Sequence, residues 1–173
     1  LTDGPGAGAL LDMGCYAVSA ARMALAGEPV AATGWRRLDP TGAFDIGGLA
    51  VLAFPGGRRA EVRWAFDADD AAELRIIGST ATLRADNPFV PGQGTPAATA
   101  LSVAYHAGAV RELAFEPVNQ FRLEFEEFAA GLTEGRDPVW AVDDAVAQAN
   151  AMELVKALPT LRWGPPAGRR GGS

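Results

Sequence analysis

Asp12 and Tyr16 stand four residues apart in a stretch whose apolar spacing is helical. That spacing stacks a carboxylate and a phenol one turn apart on a single face. A phenol donates or accepts a proton, and a carboxylate orients or tunes its neighbour, so the two can form a proton-transfer pair. Gly14, between them, leaves room for another group to approach. A free phenol titrates near pH ~10, so work at neutral pH needs a cation close by. The 15 basic residues include a single lysine, Lys156, which falls deep in the last helix. The same residues also suit plain structure. An acid in a first helical turn favours the dipole, and a half-buried tyrosine with a bonded hydroxyl is ordinary packing. Spacing alone leaves both readings open.

Other residue types offer less. Gly4-Pro5-Gly6-Ala7-Gly8 precedes a helix, where a phosphate loop would lie. Its spacing is GxGxG rather than GxGxxG and no strand leads into it, so it reads as an entry loop. His106, the only histidine, sits in a turn beside Ala107-Gly108 and reads as solvated. Alone it makes no zinc site, which takes three or four ligands. Glu126-Glu127 reads as a solvated helix face. One cysteine, Cys15, excludes an internal disulfide and any multi-cysteine metal site. No Walker loop and no G-x-S-x-G elbow occurs.

These groups must be positioned by a chain of 173 residues with 21 glycines and 12 prolines, long enough for its own core and rich in turns. A hydrophobic fraction of 49% against 21% charged residues is a globular composition. The net charge of -6 argues against nucleic acid or an anionic membrane as the main partner. No apolar run approaches the ~20 residues of a membrane span. Nor does a signal peptide open the chain, so a cytoplasmic location is the expectation. The chain begins at Leu1, not Met, which suggests an excised domain or a fragment.

Leu10, Gly14, Val18, Ala21 and Leu25 predict a helix over residues 9–26, stopped by Gly27 and Pro29. Strands are predicted over 30–38 and 44–54, then in a segment where Val62, Trp64 and Phe66 point one way. Further strands follow at 73–77 and 80–85, around Leu101, Val103 and Tyr105, and over 110–115. Residues 87–98 read as a loop. Phe121, Phe125, Phe128 and Leu132 form the apolar stripe of one helix, read as core. Val142, Ala145, Val146, Ala149 and Met152 mark a second helix, with Asp143 and Asp144 at its N-terminus. Short connections imply antiparallel neighbours. The fold class is therefore α+β: a large, mostly antiparallel sheet with helices packed on one face. The other face carries Glu61, Arg63, Glu73, Arg75 and Arg84 and is either solvated or a subunit contact. Residues 1–163 read as one domain and 164–173 as a flexible tail.

The stretch Gly6-Ala7-Gly8-Ala9-Leu10-Leu11-Asp12-Met13-Gly14-Cys15-Tyr16 resembles the motif that opens the second half of Gfo/Idh/MocA-family oxidoreductases, GGGxLxDxGx followed by His or Tyr. Ala7 replaces the middle glycine. Leu52-Ala53-Phe54-Pro55-Gly56-Gly57, Thr82-Leu83-Arg84, Asn87-Pro88-Phe89 and Asn119-Gln120-Phe121 are similar to stretches of its tyrosine-containing sugar dehydrogenase branch. The resemblance runs from about Gly6 to Leu158. It implies the C-terminal domain alone, which supplies substrate contacts and commonly the oligomer interface. The Rossmann half that holds NAD or NADP is absent, and with it the family's Glu-Lys-Pro lysine. It implies Asp12 and Tyr16 as catalytic residues, Asn119 and Gln120 near a sugar or polyol substrate, no metal, and a homo-oligomer through the open sheet face. The chain alone is then expected to be inactive. The alternative is a non-catalytic dimerisation or interaction domain of the same fold.

Overall fold

The computed structural model describes residues 7–68, 72–92, 95–137 and 141–162. They form two compact units. One comprises Leu1–Ala68 with Ala145–Ser173, the other Asp69–Asp144. The tail at 164–173 lies outside the described residues, as do Gly4, Pro5 and Gly6 of the entry loop.

In the first unit the expected opening helix is split. Leu10–Gly14 is a π turn and α1 runs Cys15–Leu25. The left-handed residue that ends α1 is Ala26, at φ 45°, one position before Gly27, whose N–H closes back on the Arg22 carbonyl. Strands β1 (Ala31–Leu38), β2 (Asp45–Ala53) and β3 (Arg59–Ala65) pair antiparallel in the order β3-β2-β1. The turn between β1 and β2 is tied by Asp39, which accepts from the Thr41 hydroxyl and from the amides of Thr41, Ala43 and Phe44.

The core lies where the inward residues of β2 and β3 meet the helices. Ala50, Leu52, Val62 and Trp64 pack with Leu10, Val18 and Ala21, with Ala151, Met152 and Val155 of the last helix, and with Leu158 just after it. Leu52, Val18 and Val155 are fully buried, and each such side chain contributes about 1.5–3 kcal/mol by leaving water.

The second unit is an antiparallel meander of β4 (Glu73–Ile77), β5 (Ala81–Asp86), β6 (Ala97–Tyr105) and β7 (Val110–Val118), followed by α2 (Gln120–Glu134). Its register puts Leu74, Ile76, Leu83, Ala85, Leu101, Val103 and Leu113 on one face. Glu73, Arg75, Arg84 and Asp86 lie on the other, where Arg84 bonds Asp86 and reaches Glu73 at 3.5 Å. Helix α3 (Val142–Lys156) has its first residues in this unit and the rest in the first. Its acidic first turn is Asp143 and Asp144, as the dipole favours.

The α+β class is as the sequence predicts, with three differences. The strands form two four-stranded sheets rather than one large one. An eighth strand, β8 (Thr160–Leu161), runs parallel beside β1 just after Pro159. It is too short to show periodicity. The phenylalanine stripe of α2 is not core. Phe125 is 71% exposed and Phe128 62%, and α2 has no buried residue. Spacing reveals that a face wants a partner, but does not say whether the chain supplies one.

Candidate functional site

A π turn carries one residue more per hydrogen-bonded ring than an α turn and is seldom stable by itself. Here two buried residues hold it from below. Asp45, the first residue of β2, is 5% exposed. Its Oδ2 accepts the Leu10 N–H at 2.9 Å and the Trp64 Nε1–H at 2.9 Å. The Trp64 ring lies beneath Gly14, where a Cβ would come within 3.2 Å of it, and against Gly48, where a Cβ would fall 2.3 Å from it. Gly8, at φ 124°, passes so close to Asp45 that a Cβ would sit 2.4 Å from Oδ1. The glycines of the opening motif are thus fixed by the space that a buried carboxylate and an indole require.

The other end of the turn is held from α3. Gln148 donates from Nε2 to the Cys15 carbonyl at 3.0 Å. Its Oε1 accepts from Arg22 Nη1 at 3.0 Å. Arg22, itself buried, makes a two-pronged ion pair with Glu28 at 2.7 and 2.8 Å. The Cys15 thiol, half-buried beside this network, has its pKa raised by desolvation.

With its underside occupied, the turn presents Leu11, Asp12, Met13 and Tyr16 outward. Asp12 is exposed and Tyr16 49% exposed, with Leu11 and Met13 similarly open. Asp12 keeps an α-type bond from its N–H to the Gly8 carbonyl at 3.2 Å. The expected carboxylate and phenol therefore share the open side of one helical segment, within an apolar surround. The Leu10 amide, which would meet an anion at a helix start, is already bonded to Asp45. Lys156 pairs with Glu153 on α3 at 3.1 Å.

Asn119 and Gln120 lie in the second unit. Asn119 is the N-cap of α2, its Oδ1 accepting from the amides of Phe121 and Arg122 at 3.0 and 3.1 Å. Gln120 is different: both polar atoms of its amide are buried without a hydrogen-bond partner among the described residues. Such groups cost free energy until a partner arrives. His106 is exposed in its turn, and Glu126 and Glu127 pair with Arg122 and Arg136. Among the described residues no three His, Cys, Asp or Glu side chains converge as a metal site requires, and no helix is long and apolar enough to cross a membrane.

Sequence reasoning did not single out Asp45, Trp64 as an anchor, or Gln148. The available signal was Asp45 itself, a charged residue opening a strand that is otherwise apolar on both faces.

Residues 1–84 match the family model described as the GFO/IDH/MocA C-terminal domain. The chain carries a GFO/IDH/MocA C-terminal domain. An uncharacterized oxidoreductase of Rhizobium meliloti, ORF334, is similar to this domain at 34% identity over 134 residues, 75% of this chain and 40% of the relative. D-xylose 1-dehydrogenase (NADP(+)) 2 of Haloferax volcanii is 34% identical over 133 residues, 76% of this chain and 39% of its own. In fold the domain is similar to KijD10, a 3-ketoreductase from Actinomadura kijaniata solved with TDP-benzene and NADP. The TM-score is 0.78 at 22% identity, over 94% of this chain and 51% of that one. The GFO/IDH/MocA domain thus spans about half or less of each of these proteins.

Proposed function

We propose that this domain forms the substrate side of a cytoplasmic NAD(P)-dependent oxidoreductase acting on a sugar, a polyol or a related hydroxy or carbonyl compound. It would need a nicotinamide-binding half to turn over. The observation that carries the reading is the π turn that presents Asp12 and Tyr16 outward from a buried anchor. The relatives named with NADP support the cofactor class. Bound against this surface, the nicotinamide would supply or take the hydride. The Tyr16 hydroxyl then donates to, or takes a proton from, the substrate oxygen. Asp12 orients that hydroxyl or a neighbouring substrate hydroxyl. A cation from the other half eases the transfer, since Lys156 is paired elsewhere. Asn119 and Gln120 belong to the same proposal as substrate contacts; Asn119 caps α2, and the Gln120 amide has no hydrogen-bond partner among the described residues. A homo-oligomer through the open sheet face belongs to the same reading.

The test is Tyr16→Phe in the complete enzyme. We expect kcat to fall ~10²-fold or more with KM little changed. Unchanged turnover removes Tyr16 from the chemistry. Calorimetry of this chain alone should show no tight NADP binding, and tight binding would contradict the need for a second half.

A second reading has one observation in its favour. The exposed stripe of Phe121, Phe125, Phe128 and Leu132 fits a non-catalytic interaction domain. Full activity of the complete enzyme after both Asp12→Asn and Tyr16→Phe would select it.

A further inference from the structure

We propose that Asp45, acting through Trp64 and opposed by Gln148, is the positioning residue that sets the π turn and so aims Asp12 and Tyr16. This rests on the functional reading above, since it concerns the same surface.

Asp45 is a buried carboxylate, and among the described residues no cation pairs with it. Its stabilisation comes from two donors, a backbone amide and an indole N–H, both on the same oxygen. A buried charge so placed is a poor device for stability alone, because an apolar side chain of similar volume avoids the desolvation cost. What the two bonds give is direction. Both run to fixed donors, one at the first residue of the π turn and one on the ring beneath Gly14.

The second hold is equally directional. Arg22 can only donate, so it fixes the Gln148 oxygen toward itself and turns the amide nitrogen to the Cys15 carbonyl. Cys15 immediately follows the π turn and precedes Tyr16. Asp45 and Gln148 thus grip the segment at Leu10 and Cys15, from β2 and from α3. Asp12 lies between the grips and Tyr16 one residue beyond. Asp45 is buried and Gln148 is partly buried with its amide spent on these two bonds, so both act through the segment they hold.

Two readouts separate this from a general loss of stability. The first is a double-mutant cycle in the complete enzyme. Asp45→Asn keeps the size and one carbonyl oxygen but loses the charge. We expect kcat to fall about 10- to 100-fold, as for a small misplacement of reacting groups. In the Tyr16→Phe background the same change should cost at least about 3-fold less, because one of the two groups it aims is gone. Equal losses in both backgrounds overturn the proposal.

The second readout needs no activity and uses this chain. By NMR, Asp45→Asn should move the Leu10 amide, the Trp64 indole N–H and the Tyr16 ring resonances together, with Tyr105 unmoved as the internal control. Tyr16 unmoved while Leu10 and Trp64 shift overturns it. Should Asp45→Asn not fold, Trp64→Phe removes one donor while keeping an aromatic ring, and Gln148→Ala releases the other grip. Each should shift Tyr16 and not Tyr105, and a still Tyr16 in both is fatal. If Tyr16→Phe leaves kcat intact but the resonances move, the positioning stands and the catalytic reading falls.

Discussion

Gly14 has ordinary helical angles, φ -63° and ψ -27°, so its value is space and not conformational freedom. Alanine there gains up to about 1 kcal/mol in helix propensity. Its Cβ would meet Leu10 Cδ1 at 2.9 Å and the Trp64 ring at 3.2 Å. Leu10 is fully buried and Trp64 is tethered to Asp45, so neither can yield cheaply. The crowding, about 1–3 kcal/mol, outweighs the gain. Gly14→Ala should lower the melting temperature of the chain in a calorimetric scan, and a stabilised variant would show that the ring gives way. At this scale the sequence was legible for residues whose chemistry is explicit, Asp12 and Tyr16. For Asp45 the one signal, a charge opening an apolar strand, was easily taken for a turn residue. Its burial depends on Trp64 and Leu10, far away in the chain.

At the scale of elements, strand and helix limits were nearly all legible. Alternation and 3.6-residue spacing are local properties, and Pro55-Gly56-Gly57 and Gly78-Ser79 punctuate them. The π turn was not, because a uniform apolar stripe over residues 9–26 looks the same whether one turn is widened or none. The grips that widen it come from β2 and α3.

Two elements rest on a single cap each. The β1–β2 turn hangs on Asp39, whose pKa is lowered to about 2, first by the Thr41 hydroxyl and then by the amides of Thr41, Phe44 and Ala43. The unfolded chain titrates it near pH ~3.9. Its contribution to stability is therefore complete above about pH 4 and lost as pH falls through about 2. Denaturant melts of the wild type and Asp39→Ala should differ at neutral pH, with the gap closing between about pH 4 and pH 2. A gap independent of pH would contradict this. Helix α2, with no buried residue, depends on the Asn119 cap and on the pairs of Arg122 with Glu126 and Arg136 with Glu127. Asn119→Ala should cost about 1 kcal/mol. Amide exchange at Phe121 and Arg122 should accelerate, and unchanged protection there would mean that the helix is held by something other than its cap.

For the whole molecule, burial is unevenly shared. The core of the first unit includes the fully buried Leu52, whereas Ala85 is the one buried apolar residue of the second among the described residues. Leu52→Ala should cost about 2–5 kcal/mol, and Phe125→Ser less than about 0.5 kcal/mol, in urea melts of this chain. Comparable losses would mean that α2 is packed in solution. The first unit is also interrupted. Leu10, Val18 and Leu52 are covered by Met152, Val155 and Leu158, and β1 is flanked by β8, all encoded after the intervening unit. A ribosome therefore exposes the apolar half of this core long before it delivers the lid. Through that interval the helical segment bearing Asp12 lacks half of the packing that holds it in the finished fold.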